Sequence, residues 1–182
     1  MGDFLIPLIV TALAEFGDKT QLSILILSTK MEKHLHLLIG VVVGFLLVDG
    51  IAVSVGSWIA NLVPLSLLRL ISGIVFIIFG VMILTEREVK KIGKLYSRSP
   101  FLSGFVLIFI TEWGDKTQIT SAIFATRYNP LLVLSGAVAA LALLSGMAVY
   151  LGKFVSNKVD KKLMTKIAGT VFMLMGISFF LF

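Results

Sequence analysis

Residues Glu15 to Gln21 read EFGDKTQ, and residues Glu112 to Gln118 read EWGDKTQ. The copies differ only where Trp113 stands for Phe16. Each lies within an apolar run, Phe4 to Leu27 around the first and Pro100 to Ala125 around the second. A helix needs about 20 mostly apolar residues to cross a hydrocarbon layer about 30 Å thick. Glu15 and Glu112 stand about halfway along their runs, so at a rise of about 1.5 Å per residue both fall near the bilayer midplane.

Four more runs have spanning length: Leu37 to Ala60, Leu65 to Leu84, Leu131 to Leu151 and Leu163 to Phe182. None alternates as the strands of a membrane barrel do. The chain of 182 residues is 58% hydrophobic and only 14% charged. Soluble domains are about half apolar and about a quarter charged. The expected class is therefore an all-α integral membrane protein with six transmembrane helices. The first run has no basic start and continues into Glu15 and Asp18, so it is read as a span rather than a cleaved signal. The chain has no cysteine, which excludes disulfides, thiolate metal sites and thiol catalysis.

The motifs divide the chain into corresponding halves. Residues 1–85 form a first three-helix repeat, 86–99 a basic loop, and 100–182 a second three-helix repeat. Correspondence continues outside the motifs. Thr29-Lys30 matches Thr126-Arg127, and Asp49 through Val53 match Ser145 through Val149. Gly73, Phe76 and Gly80 match Gly169, Phe172 and Gly176. Three spans per half is an odd number, so the second repeat is expected to be inverted relative to the first, an arrangement that recurs in transporters with a midplane site.

Charge sets the expected orientation. Lys30, Lys33, Arg87, Lys90, Lys91, Lys94, Arg98, Lys153, Lys158, Lys161, Lys162 and Lys166 follow spans 1, 3 and 5, whereas the other side has only Arg69 and Arg127. By the positive-inside rule, loops 28–36, 86–99 and 152–162 are cytoplasmic and both termini lie outside. The net charge of +6 is thereby assigned to loops rather than to nucleic-acid binding.

The buried charges carry the functional reading. Glu, Asp three residues on and Lys four residues on share one face of a continuous helix. Six such charges plus Asp49 would cost on the order of 20 kcal/mol if unpaired in hydrocarbon. Glu15, Asp18, Glu112 and Asp115 outnumber Lys19 and Lys116, and a divalent cation would balance them. Gln21 and Gln118 are further candidate oxygen ligands. Thr20 and Thr117 rank lower, being expected to bond backbone carbonyls. His34 and His36 are placed in a loop. An oxygen-only set suits Mg²⁺, Ca²⁺ or Mn²⁺ rather than copper or zinc. Lys19 and Lys116 are read as counter-ions or gating groups. Asp49, matched by Ser145, is either a proton carrier or a neutral packing group. Gly17 and Gly114, between the acids, would permit local unwinding.

The doubled E-x-G-D-K-T motif, in two three-span halves, resembles the Gdt family of Mn²⁺/Ca²⁺–proton exchangers along essentially the whole chain. The resemblance implies six helices and exchange of a divalent cation for protons. It places the family's motif acids at Glu15, Asp18, Glu112 and Asp115, and its basic position at Lys19 and Lys116. Likeness to bacterial members favours Mn²⁺ over Ca²⁺ and a prokaryotic plasma membrane. The partners expected are the transported cation, protons and the bilayer, with no cofactor and no nucleic acid. One chain contains both motifs, so a monomer can form the whole site. From the residues alone, a cation channel and an exporter of small organic cations stay open as alternatives. No HExxH or GxSxG motif supports a hydrolase.

Overall fold

In hydrocarbon a backbone group has no water to bond, so apolar runs satisfy their peptides internally as helix. The computed structural model describes residues 1–85, 99–158 and 161–181, and contains no strand among them. Eight helices follow one another in the described residues: α1 Gly2–Glu15, α2 Lys19–Ser28, α3 His34–Ala60, α4 Leu65–Thr85, α5 Pro100–Thr111, α6 Lys116–Ala125, α7 Pro130–Lys158 and α8 Lys161–Leu181. The expected basic loop, apart from Ser99, lies outside the described residues. So do the side chains of Lys19, Lys153, Lys158, Lys161 and Lys162.

Two of the expected spans are not continuous. The first run is α1 plus α2, and the fourth is α5 plus α6. Both breaks fall inside the motif, at Gly17 (φ 78°) and Gly114 (φ 79°). These are left-handed conformations that glycine adopts without a Cβ penalty. The expectation that Glu, Asp and Lys share one helical face is thus overturned, because the helix ends between the Glu and the Asp. Hydropathy cannot register so short an interruption. Two further expectations are corrected. His34 and His36 lie in the first turn of α3 rather than in a loop, and α7 continues to Lys158 through much of the stretch read as loop 152–162.

Among the described residues, α3, α4 and the Pro130–Tyr150 part of α7 are long and apolar enough to cross a membrane unaided. The exterior is apolar, with Leu46, Leu47, Ile51 and Val55 exposed along α3, while Glu15, Asp49 and Glu112 are buried. This inverts the arrangement of a water-soluble domain and fits lipid as the surrounding solvent.

Local sequence sets the helix starts. Ser99 accepts a hydrogen bond from Leu102 N at 3.4 Å ahead of Pro100. Asn129 Oδ1 accepts from Leu131 N at 3.1 Å ahead of Pro130. Proline at a first helical position gives up only a donor that would be unpaired anyway.

Packing occurs in matched pairs. Helix α1 lies on α7, α5 on α3, and α4 on α8. A Cβ on Gly40 would sit 2.1 Å from Phe101 O, and one on Gly136 2.4 Å from Phe4 O. Gly73 lies against Gly176, and Gly80 against Gly169. Small residues allow this backbone approach. Phe76 and Phe172 meet at 5.3 Å between centroids in the aromatic centre of one core cluster. A second cluster, built around Ile24, Leu37, Val41 and Ile108, holds α2, α3, α5 and α7 together.

Candidate cation site

Each break faces the other motif. Glu15 ends α1, and Glu112 directly follows α5. Asp18 and Asp115 precede α2 and α6. Asp18 N bonds Glu15 O at 3.2 Å, and Asp115 N bonds Glu112 O at the same distance, so the two turns share one geometry. Gln21 Oε1 accepts from Gly17 N at 3.0 Å, and Gln118 Oε1 accepts from Gly114 N at 2.6 Å. The glutamine oxygens therefore support the breaks by satisfying a backbone donor that the interrupted helix leaves free. Gln118 Nε2 also donates to Val48 O at 3.2 Å, tying α6 to α3.

The threonines cross between the halves. Thr117 Oγ1 donates to Glu15 Oε1, and Thr20 Oγ1 donates to Glu112 Oε1 at 2.5 Å. This corrects the expectation that they bond backbone carbonyls. Each instead orients the buried carboxylate of the opposite motif. The signal available in the sequence was the duplication itself: a Thr–Glu contact between halves, made once, should be made twice.

Oxygens of Glu15, Glu112 and Asp115 can all lie within 4.8 Å of one another, close enough for one cation to reach all three. Glu15 is 2% exposed and Glu112 3%. Asp18 is not one of this trio, and Lys116 Nζ holds its Oδ2 at 2.9 Å. The same ammonium is 3.9 Å from Glu15 Oε1. Lys116 is thus a counter-ion that couples the second motif to both acids of the first. The side chain of Lys19, its counterpart, lies outside the described residues.

The ends of four half-helices converge here. The C-terminal ends of α1 and α5 present carbonyls and the negative pole of the helix dipole. Broken helices at a membrane midplane use such ends to bind cations. Asp49 lies on α3 next to Val48, whose carbonyl Gln118 reaches. It is 2% exposed, and its Oδ1 has no hydrogen-bond partner. Among the described residues no histidine joins the cluster. His34 Nε2 lies 3.1 Å from Ser28 O, and its ring packs edge-on against Tyr150.

The family model described as "Divalent cation/proton antiporter GDT1" matches residues 3–91 and 100–181. A Vibrio cholerae protein titled "Putative manganese exporter" is 28% identical over 98% of this chain and 90% of its own length. The "GDT1-like protein 5" of Oryza sativa is 28% identical over 100% of the chain and 95% of its own. The "GDT1-like protein sll0615" of Synechocystis is 28% identical over 96% and 94%. No solved structure matches the chain.

Proposed function

We propose, because the chain belongs to the GDT1 family of divalent cation/proton antiporters, that its cargo is Mn²⁺ and that inward proton flow drives Mn²⁺ out of a prokaryotic cell. The protein is a transporter and not an enzyme, and the metal is substrate rather than cofactor. The likeness to the Vibrio cholerae protein supports manganese as cargo. Ca²⁺ takes the same hard oxygen donors and is the second candidate.

The cation site in this reading is formed by Glu15, Glu112 and Asp115, and the single observation that carries it is the mutual approach of oxygens from two buried glutamates and a half-buried aspartate. Asp18 is a fourth acid, released to the site when Lys116 moves. Gln21 and Gln118 hold the breaks open, and Thr20 and Thr117 aim the glutamates. A divalent cation and protons compete for the same oxygens, since ligating carboxylates must be deprotonated. The crowded acids titrate as a group rather than singly. When the cation departs, Lys116, held by Asp18 and 3.9 Å from Glu15, offsets part of the negative charge, and protons take up the rest. Asp49, outside the motifs, is the proton-carrying acid beside the site.

The architecture in this reading is six spans in two inverted halves, residues 1–85 and 100–182, with the first and fourth spans broken at the midplane. Support comes from the corresponding helices α4 and α8. They run antiparallel, with Gly73 against Gly176 and Gly80 against Gly169. Equivalent helices packed in parallel would instead pair Gly73 with Gly169. Reciprocal contacts such as Gly40–Phe101 and Gly136–Phe4 support the same relation. Rocking of one half against the other then exposes the site alternately. The orientation follows the lysine and arginine distribution: termini outside, basic segments cytoplasmic.

The test is Mn²⁺ uptake into inverted vesicles with an acidic lumen, comparing wild type with Glu112→Gln. Loss of gradient-driven movement in the variant is expected. Undiminished, proton-coupled Mn²⁺ movement by Glu112→Gln would sink the assignment of the site.

A further inference from the structure

Arg69 and Arg127 are the two cations that depart from the charge asymmetry of the chain, and the fold brings both to one cavity. This cavity has a volume of about 210 Å³ and is lined by Leu65, Leu68, Arg69, Ser72, Thr126, Arg127 and Phe179. It lies at the start of α4 and just beyond the end of α6, the length of α4 away from Thr85. No carboxylate lines it. Among the described residues neither guanidinium has a carboxylate within salt-bridge distance. Asp3, in the first turn of α1, is engaged elsewhere and accepts from Asn129 N in the loop after α6 at 3.2 Å.

Guanidinium chemistry narrows the ligand. The Arg127 group lies 5.4 Å from the Phe179 ring centroid and 5.8 Å from that of Tyr128. Such cation–π contacts leave guanidinium N–H groups available to a bidentate acceptor. Phosphate oxygens match those groups. Ser72, buried one turn after Arg69, adds a hydroxyl, while Leu65 and Leu68 supply an apolar wall. Arg69 and Arg127, both exposed, line one cavity that no carboxylate lines, an arrangement that suits an anion.

We propose that this cavity is an oxyanion site that takes a phosphate group between Arg69 and Arg127, carried either by an anionic lipid headgroup or by free phosphate. Its position gives the ligand a structural consequence. Helices α4 and α8 pack chiefly on each other and reach the rest of the bundle through α1 and α6. A phosphate held by Arg69 and Arg127 fastens that pair to α6, whose opposite end carries Asp115, Lys116 and Thr117.

The experiment uses the full chain, purified in an uncharged detergent, and follows thermal unfolding. Wild type, Arg69→Gln/Arg127→Gln and Arg69→Lys/Arg127→Lys are each titrated with phosphatidylglycerol, with a neutral diacylglycerol and with inorganic phosphate. At a hundredfold excess over the dissociation constant, the bound ligand should raise the wild-type midpoint by roughly 5 °C or more. The Gln pair should lose that rise, and the Lys pair should keep part of it. A rise with phosphatidylglycerol alone identifies a lipid headgroup, and one with inorganic phosphate as well identifies a free anion; both support the site. Equal midpoint shifts in wild type and the Gln pair, no shift in either, or an equal rise with the neutral lipid would overturn it. Retained Mn²⁺-driven proton movement by the Gln pair shows that the variant is folded.

Discussion

Gly114→Ala is the most informative single change. Gly114 has φ 79°, and a Cβ built there meets nothing within 4 Å. The substitution therefore produces no clash, and its whole effect is conformational. An L-residue in the left-handed region costs about 1–2 kcal/mol. In a continuous helix the same alanine is favoured over glycine by about 1 kcal/mol. Together these bias the chain from broken to straight by about 2–3 kcal/mol, or roughly 30- to 150-fold in population at 1.4 kcal/mol per decade. A straight helix would swing Asp115 and Thr117 away from Glu15, so Mn²⁺-driven proton movement in proteoliposomes should fall by about tenfold or more. Asparagine tolerates the left-handed region better than other non-glycine residues. Gly114→Asn should therefore transport better than Gly114→Ala despite its larger side chain. Wild-type transport by the alanine variant, or an asparagine variant no better than alanine, would refute the reasoning.

Three other outcomes are expected. Thr117→Val keeps the shape but removes the donor to Glu15; it should lower stability by about 1 kcal/mol in thermal unfolding, with Thr117→Ser close to wild type. Thr20→Val should match it, because the contact is duplicated, and a large difference between the two would count against that equivalence. Gly40→Ala should destabilise strongly, since its Cβ would stand 2.1 Å from Phe101 O, whereas Gly50→Ala, with nothing within 4 Å on the same helix, should be neutral or stabilising by about 1 kcal/mol. Asp49→Asn should still bind Mn²⁺ in calorimetry yet lose coupled proton movement; unchanged coupling would return Asp49 to a packing role.

Hydropathy and duplication made much of this chain legible. Six runs of apolar residues have a simple physical meaning, because hydrocarbon admits only satisfied backbone. The acids at the centre of two such runs drew attention through the cost of burying them, and the structure brings Glu15, Glu112 and Asp115 together. Less legible was the course of the backbone through the motif. Gly17 is compatible with an intact helix or a broken one, and the apolar residues on either side continue the run regardless. The roles of the neutral side chains depended on that break. Once the helix ends at Glu15, the Gln21 oxygen meets Gly17 N, and Thr20 faces Glu112 rather than its own helix. The cavity between Arg69 and Arg127 was equally hidden, since the two residues are distant in sequence and occupy non-corresponding positions in the two halves.

The most direct measurement is proton movement in liposomes containing the purified chain, with Mn²⁺, Ca²⁺ and Mg²⁺ applied separately to wild type and to Glu15→Gln. The expected result is a pH change driven by Mn²⁺, weaker or absent with Mg²⁺, and abolished by Glu15→Gln. Metal flux that follows voltage without moving protons, or a Glu15→Gln variant that exchanges as wild type does, would contradict a carboxylate site shared by cation and proton.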